Sequence, residues 1–574
     1  MSKSILKSES IEDLSRKADK FLIENDYENL KTFLDSLLGV EYTFENLVDE
    51  AKYYYTLGNC SEKLFNYRRL DWFSDELSKS VIFFRKALYV IQKIDFPSDD
   101  VQLLRSCIET NLGSNLSSQG RAFCCIPLWD DAIKCKENPV PIISKAENEL
   151  FIASSIYDPS HKRIHYFTAY QLIQFGLEHL DKLYPEQRAA YSKGSHLMSF
   201  KVWYEDNFKT DDFSYFDLYK MDFKSKKQAS YLKWCGDNKL FINDLNDVSL
   251  SEIVYQDIMT LPNISRQFNP TLSMYEELMY HGNFDELKND YCYARYLVFE
   301  AKDIDNNHIH LFNDTYPHCN DMAHTITNLK ASHYKSAFKT LYSIFDKIAY
   351  FIHRFFDLND IKKDRTISFD SIFKNNSGTW KPHSKLKDSQ NCFLHALFYI
   401  LKDIRDVRGL TPVSRWLDPD AKAFSEIRNA IEHRSLKIID DFGYSFTQSD
   451  RSYKQSNLDS LKGEINDNEA QIKKLVDEIS LAEREKNIVL KKALEAEKLS
   501  FDEKLQQSKS QLREQEKLST HSVLIKVSDF ESRLMTLMKL ARNSIMYLSL
   551  AIHFEQKNEL DDDDIIIPRE VPLR

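Results

Sequence analysis

The sequence predicts a mostly α-helical protein, and three observations carry that expectation. Glycine and proline are scarce, 12 and 14 in 574 residues, where average usage would give about 7% and 5%. Tight hairpins need those residues, so β-rich architecture is disfavoured. Apolar residues recur at helical steps along most of the chain, and one segment carries heptads. With 42% hydrophobic and 29% charged residues the composition is globular, and the length calls for two to four domains.

Residues 1–205 read as successive amphipathic helices. Within them, Asn111-Leu-Gly113, Asn115-Leu116, Gly120-Arg121, Trp129, Ala132-Ile133 and Asn138-Pro139 describe a helical hairpin. The small residues Gly113, Gly120 and Ala132 let two antiparallel helices approach, and Leu116, Trp129 and Ile133 fill between them. This resembles a tetratricopeptide (TPR) unit. An imperfect earlier copy falls at Tyr55, Leu57-Gly58 and Ala87-Leu88, and a third near Ala153, Ala169 and Leu177. The irregular period leaves an irregular helical domain as the other reading. Stacked repeats of this kind would offer a concave surface to a peptide or protein ligand.

Residues 206–324 form a connecting region punctuated by Pro262, Pro270 and Pro317. From about 325 to 450 a new helical domain is expected. Tyr334, Phe338, Leu341, Phe345, Ile348, Ile352 and Phe355 form one apolar stripe. Cys392 to Leu401 is apolar nearly all round, as a central helix would be. Asp418-Pro419 marks the start of the next helix, as cap and first residue. A coiled-coil insertion over 451–518 carries Leu458, Leu461, Ile465, Ile472, Leu475 and Ile479, then Leu494, Phe501, Leu505 and Leu512, with Asn468 and Lys486 on core positions. It is either one helix of about 90 Å at 1.5 Å per residue or a folded-back hairpin. The domain resumes over 519–555 with Leu534, Leu537, Leu540, Ile545, Leu548 and Ile552, and 556–574 is an acidic tail containing Asp561 to Asp564.

Charge and targeting features narrow the function. The net charge is −11, but residues 321–450 hold 20 Lys and Arg against 16 Asp and Glu. A locally basic segment in an acidic chain suits a polyanion site, as does an ordinary solvated face. The N-terminus lacks the apolar core of a signal peptide, and Leu534 to Phe554, the best span candidate, is broken by Lys539 and Arg542. Nine cysteines without even spacing read as free thiols of a reducing cytoplasm. His308, His310, His318, Cys319 and His324 match no zinc spacing, and Gly58 to Lys63 lacks the glycines of a phosphate loop. No cofactor or metal is expected.

One pattern carries chemistry: Glu426-Ile-Arg-Asn-Ala-Ile-Glu-His433. Asn429 and His433, four apart, share a helix face, with Arg428 about 140° from His433 and able to swing back. Phe424, Ile427 and Ile431 would anchor the opposite side. Arg428 and Glu432 are also spaced as a plain i,i+4 ion pair, which would leave His433 a surface residue. Arg-polar-x-x-x-His on a late helix of a small bundle resembles the HEPN superfamily. The helix with Phe345-Asp-Lys-Ile-Ala349, and a closing helix with Leu540-Ala-Arg-Asn543 and Tyr547-Leu548, are similar to a bacterial subgroup in which TPR-like repeats precede the domain.

That resemblance implies metal-independent RNA cleavage leaving a 2′,3′-cyclic phosphate. His433 would be the general acid or base, Arg428 the phosphate clamp and Asn429 the orienting group, with Asp346 an auxiliary candidate. It implies a homodimer that completes the site, for which the coiled coil offers a means, and RNA, tRNA or single-stranded, as substrate. It also implies a toxin or abortive-infection role in defence. The tyrosine that some HEPN toxins place two residues after the histidine is Ser435 here, which argues against control by its modification and against a partner antitoxin. The competing class is a non-catalytic adaptor holding partners through the repeats and coiled coil.

Overall fold

A computed structural model describes residues 4–38, 40, 42–68, 71–208, 213–264, 273–317, 324–358, 367–374, 380–404, 419–484, 487–519 and 523–559. Packing divides the chain into two units. One comprises Met1–Phe299, Ala337–Ser425 and Met535–Arg574; the other comprises Glu300–Ser336 and Glu426–Leu534. As the sequence predicts, the protein is mostly α.

In the first unit, β1 (Ser4–Leu6) pairs in parallel with β2 (Tyr42–Phe44), around α1 (Ser8–Glu24) and α2 (Tyr27–Leu38). Three helical hairpins follow: α3 (Leu47–Arg68) with α4 (Asp75–Ile91), α5 (Asp99–Ser118) with α6 (Ala122–Ala132), and α7 (Val140–Ser155) with α8 (Pro159–Leu177). The close approach read at Gly113 is real: a Cβ there would lie 2.6 Å from the Trp129 indole nitrogen. Gly58 meets Phe84 in the same way, at 2.6 Å, in the preceding hairpin. Gly120 turns the chain between α5 and α6 at φ +77°, where a Cβ would meet the Cys392 carbonyl at 1.9 Å; only glycine fits both the angle and the space. Gly58 to Lys63 lies inside α3.

The chain continues through α9 (Pro185–Arg188), α10 (His196–Phe208), α11 (Ser214–Leu218) and α12 (Lys226–Asp237) to α13 (Ser273–Lys302). Beyond them lie α14 (Leu329–Phe355), α15 (Phe369–Phe373) and α16 (Cys392–Ile404). The whole predicted stripe of α14 is buried, and α16 is buried from Phe393 to Leu401 apart from His395. Its Asp403 receives Arg121, which caps the start of α6, at 2.6 Å and Arg85 of α4 at 2.8 Å. Burial alone would push that carboxyl up, but the two guanidiniums outweigh it and hold it below the usual carboxylate range. Asp418, the expected cap of α17 (Pro419–His433), and Asn375 to Gly378 lie outside the described residues.

A buried histidine sits between two acids in this unit. His165 of α8 is fully enclosed, with Nδ1 at 2.6 Å from Glu149 and Nε2 at 3.0 Å from Asp244; His161 also meets Asp244, at 2.8 Å. Burial opposes the imidazolium, yet its hydrogen bonds to Asp244 and Glu149 hold the pKa up at about 10. The folded value lies above the unfolded one, so the contribution to stability is complete below about 6.5 and is lost as pH rises through about 10. We expect His165→Gln to cost about 1–3 kcal/mol near neutral pH, and the gap from wild type to narrow as pH rises from about 6.5 to about 10. Denaturant unfolding at stepped pH measures this; a gap that stays constant with pH would contradict it.

In the second unit, β3 (Leu436–Ile439) runs parallel to β4 (Val523–Lys526), with Leu436 opposite Val523 and Ile439 opposite Lys526. Thr325 bridges Ile439 on the other side, antiparallel. Between β3 and β4 the chain makes α18 (Asp441–Arg484) and α19 (Ile488–Ser519). These fold back on each other: Lys509 reaches Glu469 at 2.7 Å, and Lys491 reaches Glu483 at 2.8 Å. The insertion is therefore a hairpin, with Leu461, Ile465, Leu475, Ala482 and Leu505 buried along its seam and Asn468 half-buried. Of the two forms open in the sequence reading, the hairpin is the one that forms, and its seam is filled from within the chain. Lys486 lies outside the described residues, as does the acidic tail with Asp561 to Asp564. The last helix is α20 (Val527–Glu559). Among the described residues no helix is long and apolar enough to cross a membrane.

Candidate functional site

The motif helix α17 is held by one face. Phe424, Ile427 and Ala430 are buried to 2% exposure or less. Ala430 takes the place expected of Ile431, which is only half-buried. Just past the helix, Ser435 O accepts from Val523 N at 2.8 Å, and Lys335 Nζ donates to Leu436 O at 2.7 Å. The β3–β4 pair thus fixes the chain two residues beyond His433. Tyr334 donates to Glu531 at 2.8 Å, fastening α14 and α20 within the same unit.

The other face carries Arg428, Asn429, Glu432 and His433. The side chains of Arg428 and His433 are 32% and 66% exposed. Arg428 Nη2 lies 3.0 Å from Glu432 Oε2, and His433 Nε2 lies 3.8 Å from that same oxygen. Arg428 Nη1 also donates to Asn429 Oδ1, at 3.3 Å. So the guanidinium does swing toward the histidine, and the ion pair open in the sequence reading forms as well. A single carboxylate oxygen gathers both groups, leaving them no further apart than one phosphodiester with hydrogen bonds of about 2.8 Å can span. Sequence reasoning missed the bridging role of Glu432 toward His433; its position next to the histidine was the available signal.

Of the other candidates, Asp346 is half-buried on α14. His318 and Cys319 lie outside the described residues, while His324 sits 3.5 Å from Asp440. Among the described residues no group of three metal-capable side chains converges.

The chain also holds a second copy of the pattern, which sequence reasoning did not recognise as such. Arg542-Asn543-Ser-Ile-Met-Tyr547 on α20 repeats Arg428-Asn429-Ala-Ile-Glu-His433 with tyrosine for histidine. Its arginine is buried, bonded to Phe241 O at 2.6 Å, Asn243 O at 2.7 Å and Asp247 at 2.8 Å. Tyr547 accepts from Phe123 N at 2.8 Å. This copy is spent on packing, and of the two arginines only Arg428 reaches solvent.

Residues 273–465 match the LA2681-like HEPN family model, a stretch from the start of α13 to just past the middle of α18. No curated protein and no solved structure matches the chain. HEPN domains are generally ribonucleases, so the match supports nuclease chemistry in the broad sense.

Proposed function

We propose that this protein is a metal-independent endoribonuclease whose site is built from Arg428, Asn429 and His433. The convergence of a partly exposed guanidinium and an exposed imidazole on one carboxylate oxygen is the observation that carries the reading. In the reaction the ribose 2′-oxygen attacks phosphorus while the bond from phosphorus to the 5′-oxygen breaks. One His433 takes the 2′-hydroxyl proton, and a second gives a proton to the departing oxygen. Arg428 holds the non-bridging oxygens and stabilises their developing charge, and Asn429, already bonded to it, keeps the guanidinium on the motif edge. The product is a 2′,3′-cyclic phosphate.

Two histidines are needed and the exposed motif occurs once, so the active form is a homodimer with both motif edges at one groove. Asp346, half-buried on α14, is the auxiliary candidate in this scheme. The hairpins of 1–205, read as TPR-like, would bind the peptide or protein that controls cleavage, in a cytoplasmic toxin or abortive-infection protein. The test is cleavage of tRNA and single-stranded RNA in EDTA, with end-group analysis and sedimentation. Fragments ending in 2′,3′-cyclic phosphate from a dimer are expected. Cleavage that requires a divalent ion, or leaves a 3′-hydroxyl, would overturn the proposal.

A further inference from the structure

The geometry points to Glu432 as a built-in competitor for the scissile phosphate: its carboxylate sits where a phosphate oxygen must go, and RNA binds by displacing it. The inference rests on the ribonuclease reading, since it concerns the same site.

Glu432 Oε2 contacts Arg428 Nη2 at 3.0 Å and faces His433 Nε2 at 3.8 Å. The proposed chemistry needs those same two nitrogens for one phosphodiester. A carboxylate and a phosphate offer the guanidinium similar paired oxygens, so the two compete for one seat. The carboxylate cannot leave, because it is on the motif helix itself, but it can rotate away. Asn429 meanwhile keeps Arg428 Nη1 bonded at 3.3 Å, so the arginine stays on the motif edge when the carboxylate departs.

Magnitude decides whether this is a lock or a gate. The pair is partly exposed, with the Arg428 side chain 32% accessible. It also runs arginine before glutamate at i,i+4, the weaker of the two orders. Exposed pairs of this kind shift an equilibrium by no more than about fivefold. Glu432 therefore raises the RNA concentration at which the site fills, without closing it. Weakly held anions lose to the carboxylate, whereas a strand with several phosphate contacts displaces it.

The experiment uses the full chain and a single-stranded 2′-O-methyl RNA oligonucleotide, which binds but lacks the attacking hydroxyl. Affinity is read by fluorescence anisotropy for wild type, Glu432→Gln, Arg428→Ala and the double variant. Glu432→Gln is expected to bind about two- to fivefold more tightly, and the gain to vanish when Arg428 is absent. An unchanged or weaker affinity overturns the proposal. So does an equal gain in the Arg428→Ala background, which would reduce the effect to the loss of a negative charge. With cleavable RNA the gain belongs in KM; a fall in kcat to the level of His433→Ala would make Glu432 part of the chemistry and also overturn it. If wild type cleaves no RNA while the binding pattern holds, the nuclease reading falls and the competitor stands. If wild type cleaves and the pattern is missing, only the competitor falls. Absence of binding by every variant overturns it as well.

Discussion

His433→Ala will lower RNA cleavage by about 10²–10⁴-fold, the usual worth of a positioned general acid or base. Arg428→Ala will lower it by about 10²–10³-fold, as removal of a preorganised charge contact does. The double variant will be scarcely worse than the poorer single one, because the two groups act on one phosphate as a unit. Neither change should harm the fold. The packed face of α17 rests on Phe424, Ile427 and Ala430, all buried, and both motif side chains point the other way with 32% and 66% of their surface exposed. The exposed ion pair lost with Arg428 contributes no more than about 1 kcal/mol. Thermal unfolding close to that of wild type, alongside lost cleavage, is therefore the expected combination. Wild-type cleavage in either variant would remove the residue from the mechanism. Lost cleavage together with a large fall in Tm would mean that the motif is structural.

What could be read in advance was what local periodicity encodes. The α14 stripe from Tyr334 to Phe355, the all-apolar α16 and the Gly113–Trp129 approach are legible because each depends on residues within one or two helices. The β3–β4 pair was not legible. Its strands are four residues each and lie at opposite ends of an insertion, so nothing local announces the pairing. The fold-back of the insertion brings them together. That fold-back had a faint signal in Asn487, whose side chain accepts from Leu490 N at 3.1 Å and so starts α19. With no glycine or proline at the turn, a continuous helix read equally well. Glu432 shows the same limit at the site. Its pairing with Arg428 follows from spacing, but its approach to His433 depends on rotamers that spacing does not set.

The two Arg-Asn patterns sharpen this, since pattern alone cannot tell a phosphate clamp from a core fastener. Arg542→Met, of similar length and without charge, is expected to destabilise the first unit by about 3–5 kcal/mol, as breaking a buried pair from one side does. Its guanidinium is 2% exposed and serves the 241–247 segment at several points. Nε donates to Phe241 O at 2.6 Å, Nη2 to Asn243 O at 2.7 Å, and Nη1 meets Asp247 at 2.8 Å. Burial already pushes the Asp247 carboxyl above its ordinary range, and Arg542 is the largest influence opposing that push. Methionine would fill the space yet strand an acid and two carbonyls, whose desolvation is the main cost. Adding Asp247→Asn should recover part of the loss, because the orphaned charge goes with it and the two sites are coupled. A fall in Tm of about 5–10 °C for Arg542→Met, partly restored in the double variant, is the expected result by calorimetry. A fall of under a degree would show that this buried arginine is not a fastener.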